Sequence, residues 1–273
     1  MRIGLALSGG AARGIAHVGV LQYLEERGVK ACRVAGTSAG SIVGALYCAG
    51  RNVEEIKKIV ETMSWKNLVK LSIPRKGLID SYRLLYILKE HINEITFEEL
   101  KIPLIVNAID LLSGEEIVFG EGSVAEAVQA SCAIPGIFTP VKWNKRLLVD
   151  GGLLDNVPVA LMKSRDIDYV IAVNVGTQRP LQKEPDNIFE VLIQSFDIIR
   201  RHREIPAYEI ADILIEPDLG DISFWDNSKA NLLISRGYEA AKKVLDGVNL
   251  MKKQGYLSRW VSKRKYKTEV SMR

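Results

Sequence analysis

The sequence predicts a layered α/β domain built on a largely parallel sheet. Short apolar runs alternate with longer segments of helical period, the pattern of strand-helix-strand units. The first two apolar runs each empty into a glycine-rich turn that opens a helix, as loops at one edge of such a sheet do. The 273 residues, 47% hydrophobic and 26% charged, suffice for one large core. A chain of this length buries roughly 70–75% of its unfolded surface without a disulfide or metal staple.

Taken in order, Arg2 to Leu7 reads as a buried strand and Ser8 to Ala12 as a turn. Gly14 to Arg27 reads as a helix with Ile15, Val18, Leu21 and Leu24 on one face, and Gly28 supplies the left-handed residue usual past a helix end. Lys30 to Ala35 makes a second strand that runs into Gly36-Thr37-Ser38-Ala39-Gly40 and a small-residue helix ending near Gly50. Val53 to Met63 and Tyr82 to Asn93 are amphipathic helices. Between them lies a less regular stretch with Trp65, Leu68, Leu71, Ile73 and Leu78, which can form a cap. Further strands are expected at Pro103 to Asp110, Glu116 to Phe119, Arg146 to Val149, Tyr169 to Val175 and Ile213 to Ile215. Further helices are expected at Val124 to Ser131, Asn187 to His202 and Lys229 to Val248.

Cys32, Cys48 and Cys132 are odd in number and never in a C-x-x-C pair. That fits reduced thiols in a cytoplasm and argues against a disulfide framework or a zinc site. The apolar run after Met1 is too short for a signal peptide, and no run approaches the roughly 18 apolar residues of a membrane span. The formal charge of +4 is unevenly placed. Met251 to Arg273 carries eight basic residues against Glu269, a net of +7, so the domain expected over 1–248 is mildly acidic and 249–273 is a basic tail. Tyr256, Leu257, Trp260, Val261 and Tyr266 interleave with those charges. The tail reads either as a solvated terminus or as a segment resting on an anionic membrane surface, with a nucleic-acid role behind both and not expected.

Gly36-Thr37-Ser38-Ala39-Gly40 has the G-x-S-x-G form and gains meaning from the strand before it and the helix after it. Such a sharp turn lifts a serine hydroxyl above the sheet edge. Gly36 and Gly40 keep side chains out of the turn, and the Ala39 amide at the helix start can donate to a developing oxyanion. Ser8-Gly9-Gly10-Ala11-Ala12-Arg13-Gly14 also follows a strand and opens a helix. It lacks the middle glycine and distal acid of a dinucleotide site and the G-K-[ST] of a phosphate loop. Two readings remain: a ligand-free turn, or an oxyanion hole with amides from Gly9, Gly10 and Ala11. In the second, Arg13 holds the loop or meets an anionic head group.

His17, His91 and His202 are the chain's three histidines, and none lies convincingly where a serine-histidine triad in α/β-hydrolase order needs its base. Asp150 offers another route. Leu147-Leu148-Val149 delivers it to a strand end and Gly151-Gly152 bends the chain away, so its carboxylate can take a serine proton directly. Asp-Gly is equally a strong hairpin signal, and local sequence leaves the two readings level.

Together with Ala130-Ser131-Cys132-Ala133-Ile134-Pro135-Gly136-Ile137-Phe138-Thr139-Pro140 and Asp150-Gly151-Gly152, these two turns resemble the patatin-like phospholipase family over about Met1 to Val248. The resemblance implies a three-layer α/β/α fold and a Ser-Asp dyad acting on a lipid acyl ester, with no cofactor and no metal. Ser38 is then the nucleophile, Asp150 the base, and the Gly9-Gly10 loop the oxyanion hole; a lipid or phospholipid is the substrate. Arg13, Gly14, Gly36, Gly40, Gly151 and Gly152 match the supporting motif positions. Acyl transfer on the same dyad, and a lipid-binding protein without turnover, are the alternatives. The family often has a third glycine where this chain has Ala11, and an alanine there is strained if the position needs φ > 0.

Overall fold

Eight strands among the described residues form one mixed sheet: β1 (Ile3–Leu7), β2 (Ala31–Gly36), β3 (Leu104–Asp110), β4 (Glu116–Phe119), β5 (Val141–Trp143), β6 (Arg146–Asp150), β7 (Tyr169–Val173) and β8 (Ile213–Ile215). The computed structural model describes residues 2–62, 81–162, 166–176, 184–185, 188–203, 209–222 and 228–248. The strand order is β5-β6-β3-β2-β1-β7-β8, with β4 also on β3. From β3 through β8 along this order the strands are parallel, while β4 and β6 run antiparallel to β3 and β5 antiparallel to β6.

The helices are α1 (Ala16–Glu26), α2 (Ala39–Cys48), α3 (Val53–Thr62), α4 (Tyr82–Ile92), α5 (Val124–Ser131), α6 (Ile188–Arg203) and α7 (Ala230–Leu245). Strand alternation sorts the two faces of the sheet. On β1, Leu5 and Leu7 join the main core with Val18 of α1, Ile42 of α2, Val128 of α5 and Leu233 of α7. Ala6 faces the other way, into a second cluster with Ala35, Ala172, Val157 and Met162. The small residues on that face let segment 156–162 lie close to the sheet; a Cβ on Gly4 would sit 3.1 Å from Met162 Sδ. The outcome is a three-layer fold whose second face is covered by a 3-10 turn (Ala160–Met162) and by Ile210 and Ala211.

Helices α1 and α7 cross at two glycines: a Cβ on Gly19 would collide with the Ile234 carbonyl, and one on Gly237 with the Ala16 carbonyl. Tyr23 and Tyr238 meet edge to face beside that crossing, with ring centroids 5.4 Å apart.

Three local details differ from the sequence expectation. The first helix is entered through a 3-10 turn, Ala11–Ile15, before α1 begins at Ala16. Strand β7 stops at Val173 rather than Val175, because the Val175 amide turns to the Ser8 hydroxyl at 2.9 Å. Strand β5 is additional, closed against β6 by Asn144 and Lys145, both at positive φ (43° and 66°) as a two-residue hairpin turn of the right twist requires. The expected cap around 63–80, the basic tail and the His202 side chain lie outside the described residues. No helix among the described residues is long and apolar enough to cross a membrane.

Candidate active site

Strand β3 brings the two motif turns together. Gly36, near the end of β2, pairs with Val106, and Asp150, the last residue of β6, pairs with Ala108. One strand arrives parallel to β3 and the other antiparallel, so their C-terminal ends meet within two positions of each other.

Ser38 stands between β2 and α2 at φ 50°, ψ −124°, a conformation that L side chains rarely adopt and that costs on the order of 1–3 kcal/mol. Its surroundings enforce it. The Ser38 amide donates to Ser131 Oγ at 2.8 Å, the Ser41 hydroxyl donates to the Ser38 carbonyl at 2.6 Å, and the Thr37 amide donates to the Leu7 carbonyl at 3.1 Å. Gly36 and Gly40 are required by close approach: a Cβ on Gly36 would lie 2.7 Å from the Gly40 carbonyl oxygen, and one on Gly40 would strike the Leu7 carbonyl. The Ala39 amide has no acceptor among the described residues.

The Ser38 hydroxyl donates to Asp150 Oδ2 at 2.7 Å, and the Gly152 amide donates to Asp150 Oδ1 at 2.8 Å. The second bond makes Asp150 the cap of a 3-10 turn, Gly151–Leu153, and so excludes the hairpin reading of Asp150-Gly151. Both residues are buried, Ser38 at 4% and Asp150 at 7% exposure. Loss of solvent raises the Asp150 carboxyl to about 6, against the downward pull of its bonds from Ser38 and Gly152. A carboxylate near that value is ionised at neutral pH and still basic enough to accept a hydroxyl proton in a transition state.

The loop after β1 lies against this pair. The Gly9 amide is occupied, donating to the Asn156 carbonyl at 3.1 Å; the amides of Gly10 and Ala11 have no acceptor among the described residues. Gly9 is nevertheless a contact point, since a Cβ there would come within 3.1 Å of Ser38 Cβ. Ala11 does sit at φ 47°, held by packing with Ala12, Ala133, Ile134 and Phe138. Arg13 is buried and braces a distant loop, donating from Nε to the Ile222 carbonyl at 2.8 Å and from Nη2 to Gly220 at 3.4 Å. Burial lowers its guanidinium to about 10, which leaves it cationic at neutral pH. Gly14 abuts the elbow helix, and a Cβ there would strike the Ala39 side chain.

His17 lies beneath the loop with no exposed surface, its Nε2 2.8 Å from the Ser8 carbonyl. Burial lowers it to about 4, so at neutral pH it is uncharged and its single proton belongs on Nε2. It props the loop. His91 contributes its backbone carbonyl to Arg51 at 2.7 Å.

Ser38 and Asp150 open onto a cleft whose far wall is α6, through Ile193, Phe196 and the buried pair Asp197–Arg200, 2.5 Å apart. Helix α6, Asn107 and Asn156 are site components that carry no local signature of chemistry. Ser131 had a signal, its place inside the Ala130–Pro140 run.

Residues 5–163, more than half of the chain, match the profile of the family described as patatin-like phospholipase. The chain belongs to that family. Among its patatin-like relatives, an uncharacterized NTE family protein of Mycobacterium tuberculosis is 37% identical over 178 residues, covering 64% of this chain and 49% of that one. The lysophospholipase NTE1 of Candida albicans is 32% identical over 215 residues, 75% of this chain and 16% of its own length. The chain thus spans about half the length of that mycobacterial relative. VipD of Legionella pneumophila shares the fold, with a TM-score of 0.64 and 17% identity over 90% of this chain and 67% of VipD.

Proposed function

We propose that this patatin-family chain is a lipid acyl hydrolase working through a Ser38–Asp150 dyad, carried by a catalytic domain over 1–248. The observation that carries the reading is the 2.7 Å hydrogen bond from a strained, buried serine to a buried aspartate whose carboxyl titrates at about 6. In the proposed reaction Asp150 takes the Ser38 proton as Oγ attacks the acyl carbonyl, and the oxyanion is met by the open amides of Gly10, Ala11 and Ala39. The tetrahedral intermediate collapses, and the departing alcohol takes the proton back from Asp150. A water deprotonated by Asp150 then attacks the acyl-enzyme; the acyl–Oγ bond breaks, Ser38 Oγ takes the proton back from Asp150, and the fatty acid leaves. Each step is a proton or acyl transfer among groups this chain provides, so the proposal calls for no metal or organic cofactor.

Ile134, Ile193 and Phe196 give the cleft apolar walls suited to an acyl chain. The name of the Candida relative, a lysophospholipase, supports a phospholipid or lysophospholipid substrate. Ser38→Ala and Asp150→Asn should each lower kcat on a soluble 4-nitrophenyl acyl ester by about 10³-fold or more. A fluorophosphonate probe should label the wild-type protein and leave Ser38→Ala unlabelled. Full turnover by either folded variant rejects the dyad.

A further inference from the structure

We infer that Asn107 is a positioning residue that fixes the separation of Ser38 and Asp150; the inference rests on the dyad reading above. Asn107 occupies the β3 position between Val106, which pairs with Gly36, and Ala108, which pairs with Asp150. It is fully buried. The Thr37 hydroxyl donates to Asn107 Oδ1 at 2.8 Å, and Asn107 Nδ2 donates to the Asp155 carbonyl and to Glu116 Oε1, both at 2.9 Å. The side chain therefore grips the residue immediately before the nucleophile and the far end of the loop that starts at the base. The near end of that loop rests on it as well, since a Cβ on Gly151 would come within 2.5 Å of Asn107 Oδ1 and 2.6 Å of its carbonyl oxygen.

The orientation of the amide is forced. The Asp155 carbonyl and, when ionised, the Glu116 carboxylate are acceptors only, so the NH₂ end must face them and the oxygen must face Thr37. No other side chain of this size offers two donors and an acceptor in that fork. Aspartate sets a carboxylate against two acceptors, glutamine is a methylene too long, and leucine fills the space with no bonds. Because β3 already carries the backbone pairing of β2 and β6, losing the Asn107 side chain leaves the sheet in place, and Thr37 and the 151–155 loop are then tied only by the longer 3.1 Å contact of the Thr37 hydroxyl with the Asp155 carbonyl, which lets them drift. A drift of an ångström or less is enough to slow proton transfer strongly, about 10²-fold where reacting groups are misplaced by 1 Å.

The test compares Asn107→Leu, Thr37→Val and the double variant on a soluble ester, with rates expressed per Ser38 titrated by a fluorophosphonate. Asn107→Leu should lower kcat about 10- to 100-fold with KM within about twofold, and the labelling rate constant should fall in parallel. Thr37→Val should act in the same direction by less, and the loss in the double variant should be smaller than the product of the two single losses, because the variants share the Thr37–Asn107 bond while Thr37→Val also removes the contact with Asp155. A lower melting temperature with unchanged kcat per titrated serine would mean that Asn107 only supports the fold, and the inference fails. Additive losses in the double variant reject the route through Thr37. Should Asn107→Leu not fold, Thr37→Val carries the test, and unchanged kcat in it overturns the inference. Turnover by Ser38→Ala, measured alongside, instead overturns the dyad reading and leaves the role of Asn107 in the fold untouched.

Discussion

Ionised Asp150 has given up its water and kept two hydrogen bonds, from Ser38 Oγ and the Gly152 amide, so burial dominates and the carboxyl titrates at about 6 instead of 3.8. If it is the base, kcat/KM for an uncharged ester should rise with pH through a single ionisation near 6 and then level off; a profile flat from pH 4 to 8 argues against it. The same shift acts on stability. The folded state holds the proton more tightly than the unfolded one, so the cost of ionising Asp150 is absent below about 3.8, grows up to 6 and is complete above, reaching roughly 3 kcal/mol. Asp150→Asn is therefore expected to be more stable than wild type at pH 8 by about 1–3 kcal/mol, and equal to it near pH 4. Urea unfolding at the two pH values checks this. His17 works in the opposite sense, because a folded pKa of about 4 against 6.5 means that stability falls as acid protonates the unfolded chain first. Ser38 was expected from a glycine-flanked turn that follows a strand, and Asp150 from a strand end followed by Gly151-Gly152, and the two side chains do meet. The strained φ of Ala11 was legible as a condition, from one missing glycine.

At the level of elements, apolar periodicity located the strands and helices because each carries enough residues to show its period. Strands β5 and β8 each have three residues, but β8 is the unbroken apolar run Ile213–Ile215, whereas Lys142 interrupts β5, Val141–Trp143, and leaves no run to register. Asn107 was illegible for a different reason. Its partner Thr37 lies 70 positions away, and only the pairing of β2 with β3 brings the two together. The α1–α7 crossing offers a test of packing without chemistry. Gly237→Ala should force α7 away from the Ala16 carbonyl and cost about 1–3 kcal/mol in denaturant unfolding, with kcat per folded molecule unchanged. A neutral effect on stability would show that the helices do not rely on this contact.

At the scale of the whole chain, charge is divided as sharply as structure. The +7 of Met251 to Arg273 against a net +4 overall suits the C-terminal segment to attraction by an anionic membrane surface, a role proposed from charge alone. Deleting 251–273 should weaken sedimentation with phosphatidylserine-containing vesicles and leave hydrolysis of a soluble ester intact; unchanged vesicle binding rejects the tail's role. The broad fold could be read from local runs, and the pairing of Ser38 with Asp150 was expected only from the family resemblance, whereas the cleft wall could not be read at all, since α6 reaches the site only through the closed tertiary structure. The sheet also separates Ser38 and Asp150 in time. The two are 112 positions apart, and Asp150 arrives on a strand that must dock backwards onto β3. If they form the proposed dyad, a chain still emerging from the ribosome holds its serine long before its aspartate and gains hydrolytic power only once β6 has been made and seated.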